Sequence, residues 1–325
     1  MILFVHVRVS PSGRWYFCRL IGIHHQIESV ALFFSPIGRM SFGIAILIGW
    51  MLCAMGCVDS WEGPPHFLHV PSVDLMTDED EGTNSQRIEE IWVYTETDVL
   101  GAFPLPADIP LSPEQLGPTA SLVLLAGIRA NAVSATRQPY PFYDAIPVEL
   151  ALDYGGRDTM ALELGYTEQT QVILAEDFES ANRFVVSNTS TAQVVRTDDL
   201  DEVFEGVGSG FVELSAEAQV LIATTNEQQY DLSTSGPVWL EMDYRCTQPF
   251  AVGLQAVNEV DVGRIPILVL KATGDEWNKI YLDLGPIVRS TPDANHYEIT
   301  LDAVFDNSDE LTFLFFDNFK LLRYP

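Results

Sequence analysis

The stretch Trp239-Leu240-Glu241-Met242-Asp243-Tyr244-Arg245 decides the fold class of this 325-residue chain. Apolar and charged side chains alternate along it. Leu240, Met242 and Tyr244 fall on one face of an extended strand, and the charged side chains between them fall on the other. Because the period is two rather than 3.6, the stretch predicts a β-strand with one buried face.

Outward from this strand, short apolar runs recur between turn residues over residues 171–325, at the spacing of an all-β sandwich. No ten-residue segment beyond Cys57 has the pattern of an amphipathic helix. We therefore predict an all-β fold. The predicted strands are Val172–Glu179, Phe184–Ser187, Gln193–Arg196, Gly210–Leu214, Val220–Thr224, Val238–Arg245, Phe250–Val257, Pro266–Ala272, Lys279–Leu284, Tyr297–Phe305 and Leu311–Leu322.

A separate small β-sandwich is predicted over residues 87–170. The prolines in Gln138–Tyr143 exclude a central strand there. This unit resembles the short immunoglobulin-like or PEGA-type modules of surface lipoproteins. Its predicted strands are Ile88–Tyr94 and Val99–Phe103, which form a hairpin, followed by Ala120–Ala126 and Ile146–Leu150.

The segment before this unit, residues 58–86, contains Pro64, Pro65, Pro71 and an acidic run at residues 78–81. It has neither the period of a strand nor that of a helix. We therefore predict a flexible acidic tether.

An apolar segment without charged side chains lies between Arg39 and Asp59, near the lower length limit for spanning a bilayer. It ends in Ala54-Met55-Gly56-Cys57, which resembles the lipobox of bacterial lipoproteins. The resemblance implies a signal peptide, a diacylglycerol on the Cys57 thiol, further acylation such as palmitate, and cleavage before that cysteine. Two or three acyl chains hold a protein firmly on a membrane.

Three other interpretations of this segment stay open: an uncleaved transmembrane helix, an ordinary secretory signal, and a buried core helix. We favour the lipoprotein, because the segment is short for a span and a polar, proline-bearing stretch follows it at once. The anchor would then lie in the outer membrane or at the cell surface, with a periplasm-facing position also open. Residues 1–39 are interpreted as an upstream extension.

The formal net charge is −29, and the residues before Cys57 carry four arginines but one acid, so the remaining chain is still more acidic. Such a surface repels phosphate backbones. Nucleic-acid binding is excluded on this ground. The remaining Cys246 lies in a predicted strand and is expected to be a small buried hydrophobic residue.

The Glu-Asp-Phe-Glu start at Glu176–Glu179, the small-residue loop Phe204–Gly210 and the closing stretch Phe316–Leu322 resemble a galactose-binding-like jelly roll, the fold of many carbohydrate-binding modules. The resemblance covers about residues 172–325. It implies that the first and last strands are neighbours. It also implies a structural calcium site; its candidate ligands are Glu176, Asp177, Glu179 and Asp317. The alternative is that these acids point into solvent.

Glycan binding requires flat aromatic rings that are exposed beside polar groups. Trp277, Trp239 and Tyr281 are the predicted ligand-binding residues. Tyr230, Tyr244 and the cluster Tyr140–Tyr143 are further candidates. The alternative for each of them is a place in the core, where large aromatic side chains are common.

Catalysis is not expected, because no serine lies in a Gly-x-Ser-x-Gly motif and Gly206–Gly210 lacks the lysine of a phosphate loop. His66 and His69 have no third metal ligand nearby in sequence. We predict a non-catalytic, glycan-binding lipoprotein. A structural or assembly lipoprotein that contacts only proteins is the alternative, and a glycoside hydrolase with two carboxylates is a weaker one.

Overall fold

A computed structural model describes residues 63–225, 229–232, 235–306 and 311–325. The predicted lipobox and signal segment lie outside these residues. The strands are β1 (His66–Val70), β2 (Val73–Leu75), β3 (Glu90–Tyr94), β4 (Val99–Pro104), β5 (Ala107–Leu111), β6 (Thr119–Arg129), β7 (Arg137–Pro139), β8 (Ile146–Ala151), β9 (Arg157–Thr159), β10 (Leu162–Leu164), β11 (Gln171–Glu176), β12 (Val185–Val186), β13 (Val195–Thr197), β14 (Ser209–Leu214), β15 (Val220–Thr224), β16 (Val238–Cys246), β17 (Phe250–Val257), β18 (Val262–Leu270), β19 (Asn278–Asp283), β20 (His296–Val304) and β21 (Thr312–Arg323).

The prediction of an all-β fold is confirmed. Two short helices occur in the part of the chain that is described, α1 (Pro113–Leu116) and α2 (Gly285–Ser290). Neither is long or apolar enough to cross a bilayer, and the same holds for every helix within the described ranges.

Residues 171–325, which we call the C-terminal part, form a sandwich of two antiparallel sheets. Sheet I has the strand order β13-β14-β21-β16-β19, and β11 also pairs with β21. Sheet II has the order β12-β15-β20-β17-β18. Because β11 and β21 are hydrogen-bonded neighbours, the first and last strands of this part lie side by side, as expected.

The strand bounds agree with the alternation of the sequence to within a few residues, with one clear difference at β18. This strand begins at Val262 rather than at Pro266. Its pairing with β17 shifts register between Val252 and Gly253, opposite Pro266. Since β18 is an edge strand, the missing N–H of this proline is tolerated inside it.

The core of the C-terminal part lies between the two sheets and takes the inward side chains of both. Leu240, Met242 and Tyr244 are buried there, as the alternation predicts, and Cys246 is fully buried beside them. Burial also raises the pKa of the Cys246 thiol. The side chain is therefore an inert small hydrophobic residue rather than a reactive thiol.

Residues 63–170, which we call the N-terminal part, contain three small sheets. Their strand orders are β5-β1-β9, β10-β2 and β4-β3-β6-β7, with β8 also pairing with β6. The predicted hairpin is confirmed, because β3 pairs antiparallel with β4.

The structure differs from the expected tether, because residues 66–75 form β1 and β2 of this part. His66, Leu68 and Val70 are buried along β1. The strand β1 lies between β5 and β9, and β2 pairs with β10. These pairings with distant strands supply the backbone partners that a free tether would take from water.

The N-terminal part has its own hydrophobic core, and this core includes Trp239, Tyr281 and Leu322 from sheet I. Contacts across residues 62–325 make one compact unit. The outer face of sheet I is therefore where the two parts meet.

Candidate functional site

The outer face of sheet I carries the side chains that alternate with the core positions. Strand register places these outward residues in layers across neighbouring strands. Asp243 lies opposite Asp317 on β21 and opposite Lys279 on β19. Two residues further along β16, Arg245 lies opposite Phe315. The alternation that defines the core of the sandwich therefore also builds a polar and aromatic surface on its other side.

One end of this surface is closed by the N-terminal part. The ring of Tyr140 lies 5.4 Å from that of Trp239 and 5.0 Å from that of Tyr281, both edge to face. Trp239 is 3% exposed and Tyr281 is 2% exposed. Their expected role in ligand binding is therefore wrong, because neither ring has a free face for a sugar.

Other aromatic candidates are also in the core. Tyr140, Phe142 and Tyr143 form part of the hydrophobic core of the N-terminal part, so this cluster is not the expected rim. Tyr230 and Tyr244 belong to the core between sheets I and II. Large aromatic side chains bury a large apolar area, and these residues lie in the core rather than at a binding surface.

The middle of the outer face is a buried charged layer, formed by Glu241, Asp243, Lys279, Asp317 and Lys320. Lys279 Nζ lies 3.3 Å from Glu241 Oε2 and 3.5 Å from Asp243 Oδ2. Buried charges are tolerated when they are paired in this way.

Groups from the N-terminal part complete the charged layer. The Tyr166 hydroxyl donates to Glu241 Oε1 at 3.2 Å, and Ser85 Oγ donates to Asp243 Oδ2 at 2.5 Å. Lys320 Nζ donates to the Thr83 carbonyl at 2.5 Å and to the Tyr166 hydroxyl at 3.2 Å. Burial lowers the pKa of Lys320 to about 8.

Asp317 is fully buried in this layer. Its Oδ2 accepts from Ser209 Oγ at 2.6 Å, and its Oδ1 accepts from the Asn318 amide at 2.9 Å. Burial raises the pKa of Asp317 to about 8, against the lowering effect of these two hydrogen bonds. Asn318 has a φ of 50°, a left-handed conformation that asparagine tolerates.

The other end of the outer face is an aromatic row formed by Phe211, Phe315, Arg245 and Trp277. The Phe211 and Phe315 rings lie 5.1 Å apart. The Arg245 guanidinium carbon lies 4.1 Å from the centre of the Phe315 ring and 5.5 Å from that of Trp277. Phe204 contacts Trp277 at 5.1 Å between ring centres.

The aromatic row is the part of the outer face that keeps contact with solvent. Trp277, Phe211 and Arg245 are half-buried, and Phe204 is 36% exposed. Arg245 Nε is buried and has no hydrogen-bond partner within the described residues. Flat apolar rings beside a charged donor are the combination that can stack on the apolar face of a sugar ring while bonding its hydroxyl groups.

Trp277 is the predicted ligand-binding residue that lies in this row. Sequence reasoning missed Arg245, Phe211, Phe315 and the neighbouring Phe313. Their signal was present, because each lies at an outward position of its strand, with Phe313 and Phe315 two residues apart. The strand order that brings these positions together could not be read from one sequence.

The four expected calcium ligands are not brought together as one metal site. No group of three or more His, Cys, Asp or Glu residues within the described ranges could hold a metal ion. Glu176 accepts from the Phe178 amide and pairs with Arg183, and Glu179 accepts from the Val207 amide. Asp177 accepts from the Glu179 amide at 3.1 Å. Asp317 has its own two donors, as described above. Each of the four carboxylates is therefore bound to different protein groups.

Comparisons with known proteins returned structural similarities alone. A scan against protein-family models gave no match, and a search of curated protein sequences gave none either. The solved structure of a xylan-binding domain of carbohydrate-binding family 22 matches with a TM-score of 0.33 and 13% identity, over 47% of this chain and 95% of that one.

Two further solved structures match at the same level. The C-terminal family 22 carbohydrate-binding module of Clostridium thermocellum Xyn10B has a TM-score of 0.33 and 13% identity, over 47% of this chain and 94% of that one. TmCBM61, solved with β-1,4-galactotriose, has a TM-score of 0.33 and 15% identity, over 47% of this chain and 99% of that one. At these scores we base no argument on them.

Proposed function

We propose that this chain is a non-catalytic glycan-binding protein whose aromatic row on sheet I receives the sugar. The observation that carries the proposal is the row itself: Trp277 and Phe211 keep half-buried rings beside Arg245, and the guanidinium of Arg245 packs on the buried Phe315 ring. Most of the other large aromatic side chains considered above are buried. The row is where ring stacking with a ligand has room to occur.

A glycan array probed with the full chain tests this function, and Trp277→Ala tests its location. We expect the substitution to lower the affinity for the retained glycan about tenfold, because it removes one stacking ring. Trp92→Ala is the matched control, since Trp92 is also half-buried on a strand but lies in the N-terminal part.

Retention of no glycan on the array would show that the proposed function is wrong. Unchanged binding by Trp277→Ala, with the fold confirmed by circular dichroism, would show that the aromatic row is not the site. Trp277→Leu separates the two roles of this side chain, because it keeps apolar packing against Arg245 but removes the stacking ring.

A second function is favoured by one observation, the exposed apolar side chains beside the aromatic row. Val195 is 44% exposed and lies opposite Phe211 in register, and Leu200 is 73% exposed. Exposed apolar surface of this kind also suits contact with another protein. A structural or assembly role through protein contacts would leave the array empty, whereas Val195→Asp would then abolish capture of the partner.

We further propose that the protein is held on a membrane by a lipid at Cys57, with its folded part outside the cytoplasm. The support is the lipobox-like Ala54-Met55-Gly56-Cys57 and the uncharged stretch before it. Mass spectrometry of the protein from a bacterial membrane should find a chain that begins at a diacylated Cys57. Cys57→Ser should release the protein from the membrane, whereas Cys53→Ser should not. An unmodified chain that begins upstream would refute the anchor.

A further inference from the structure

A polar groove lies along the edge of sheet I, between β19 and the loop that follows β6. It contains a cavity of about 170 Å³, which Arg87, Glu89, Arg129, Ser134 and Asn278 help to line. A neighbouring cavity of about 430 Å³ shares Ala132, Tyr244 and Asn278 with it. The second volume is within the range of small-ligand sites.

Glu89 holds two guanidinium groups at the wall of this groove. Arg87 Nε donates to Glu89 Oε1 at 2.8 Å, and Arg129 Nε forms an ion pair with Glu89 Oε2. A single carboxylate thus binds both arginines through their Nε atoms. This arrangement fixes the two guanidinium groups, and both arginines line the groove.

A further contact ties the arginines to sheet I. Arg87 Nη1 donates to Asn278 Oδ1, and the Asn278 side chain also hydrogen-bonds to Tyr244. The Arg87 backbone amide donates to the Tyr281 hydroxyl at 2.8 Å. Contacts from both parts of the protein therefore meet at this groove.

The opposite wall is fixed by backbone contacts. Ala130 bridges to Tyr281, and the Asn131 amide donates to the Tyr281 carbonyl at 2.8 Å. Asn131 and Ala132 both have a φ of 55°. For alanine this left-handed conformation costs free energy, and such strain clusters where ligands bind. The loop keeps this shape next to both cavities.

The charge of the groove is opposite to that of the protein. The chain has a net charge of −29, yet two arginines with one shared carboxylate face this cavity. A guanidinium edge matches the plane of a carboxylate through two parallel hydrogen bonds. Ligands with many closely spaced negative charges are disfavoured by the surrounding acidic surface. A sugar ring with one carboxylate and no other charge matches the guanidinium edge and avoids this repulsion.

We propose that this groove binds the carboxylate of an acidic sugar, so that the glycans recognised by the protein contain uronate residues. This inference rests on the proposed function for the class of ligand. Trp277 directly precedes β19 and Asn278 is the first residue of this strand, so the aromatic row and the groove lie at the same end of β19, on alternate sides of the chain.

Isothermal titration of the full chain tests this inference. Each probe is a trisaccharide with one uronate residue (galacturonate, glucuronate, mannuronate or guluronate) and two neutral residues, and it is paired with its fully neutral counterpart. We expect at least one uronate trisaccharide to bind about tenfold more tightly than its neutral partner, and Arg129→Gln to remove that preference. The preference should also weaken as salt is raised, since the arginines are partly exposed.

Arg157→Gln is the matched control. Arg157 donates to Asp108, which also binds His69, just as Arg129 shares Glu89 with Arg87. It lies outside the groove and is exposed to a similar degree. We expect this variant to keep the full preference for uronate.

The outcomes separate this inference from the proposed function. Equal binding of uronate and neutral sugars, or a preference that survives in Arg129→Gln, overturns the inference, while loss of binding in Trp277→Ala still supports the aromatic row. A preference lost in Arg129→Gln but unaffected by Trp277→Ala supports the groove and refutes the row. Free sodium acetate that competes as well as the trisaccharide would overturn it as well, because the sugar would then contribute nothing. If no trisaccharide binds, this inference fails, and the glycan array alone decides the proposed function.

Discussion

Asp317→Asn changes one atom in the buried charged layer of sheet I and removes its ionisation. The asparagine oxygen still accepts from the Asn318 amide. The Ser209 hydroxyl loses its carboxylate acceptor, and it already accepts from the Phe204 amide at 3.0 Å. We expect this loss to cost about 1 kcal/mol wherever Asp317 is protonated.

At higher pH we expect Asp317→Asn to be more stable than the wild type, and the size of this gain follows from the pKa of Asp317. Burial raises it from 3.8 to about 8 in the folded protein, so between these pH values the folded state binds more protons than the unfolded state. Stability contributed by this group is therefore complete below about pH 4 and is lost as the pH rises to about 8. Each pH unit corresponds to about 1.4 kcal/mol, so the loss between pH 5 and 8 is roughly 4 kcal/mol.

Urea unfolding at pH 5, 6, 7 and 8 measures this effect. We expect Asp317→Asn to be slightly less stable than the wild type at pH 5 and clearly more stable at pH 8. Asp261→Asn, at an exposed position, controls for the removal of one negative charge from an acidic protein. If the stability of Asp317→Asn runs parallel to that of the wild type over this range, Asp317 is not a buried, protonated carboxyl group.

Three other changes test the same surface. Burial lowers the pKa of Lys320 to about 8, so the unfolded state binds more protons than the folded state between pH 8 and 10.5, and the stability of the wild type should rise over that range. Lys320→Met should remove this rise. If unfolding curves of the variant at pH 8 and 10 still show it, Lys320 is not buried as described. Trp239→Ala should cost about 3 to 5 kcal/mol in urea unfolding because it empties a packed site between the two parts, and a loss below 1 kcal/mol would show that this packing is wrong. Because the four predicted calcium ligands have separate partners, we expect a chelator to leave the melting temperature unchanged, and a fall of several degrees would restore the calcium site.

The strands of the C-terminal part could be predicted because each one buries a single face. Val220–Thr224 and Phe250–Val257 agree residue for residue with the structure. The strand β1 was missed although its burial also alternates. In His-Phe-Leu-His-Val the buried positions are His66, Leu68 and Val70, so an apolar Phe67 at a half-buried position and a polar His66 at a buried one hide the period.

The site residues show the limit of a single sequence more sharply. Trp239, Tyr281 and Trp277 all project from the same face of sheet I, so alternation predicts the same environment for each. Their exposure differs because the N-terminal part covers Trp239 and Tyr281 but leaves Trp277 at the uncovered end of the face. This cover comes from residues such as Tyr140, about a hundred positions away in sequence, and no local pattern reports it.

The charged layer explains why the cover is fixed in one position. Glu241, Asp243 and Lys320 take part of their partners from Ser85, Thr83 and Tyr166, so separating the two parts would leave buried charges with fewer partners unless they became hydrated. A buried pair that loses one partner is strongly destabilised, whereas an apolar contact could slide with little change. The layer therefore specifies how the N-terminal part docks, and through it the position of Arg87 and Arg129 relative to Trp277. If a glycan binds to both the row and the groove, as we propose, this spacing must be constant. A charged interface secures it better than an apolar one of equal area would.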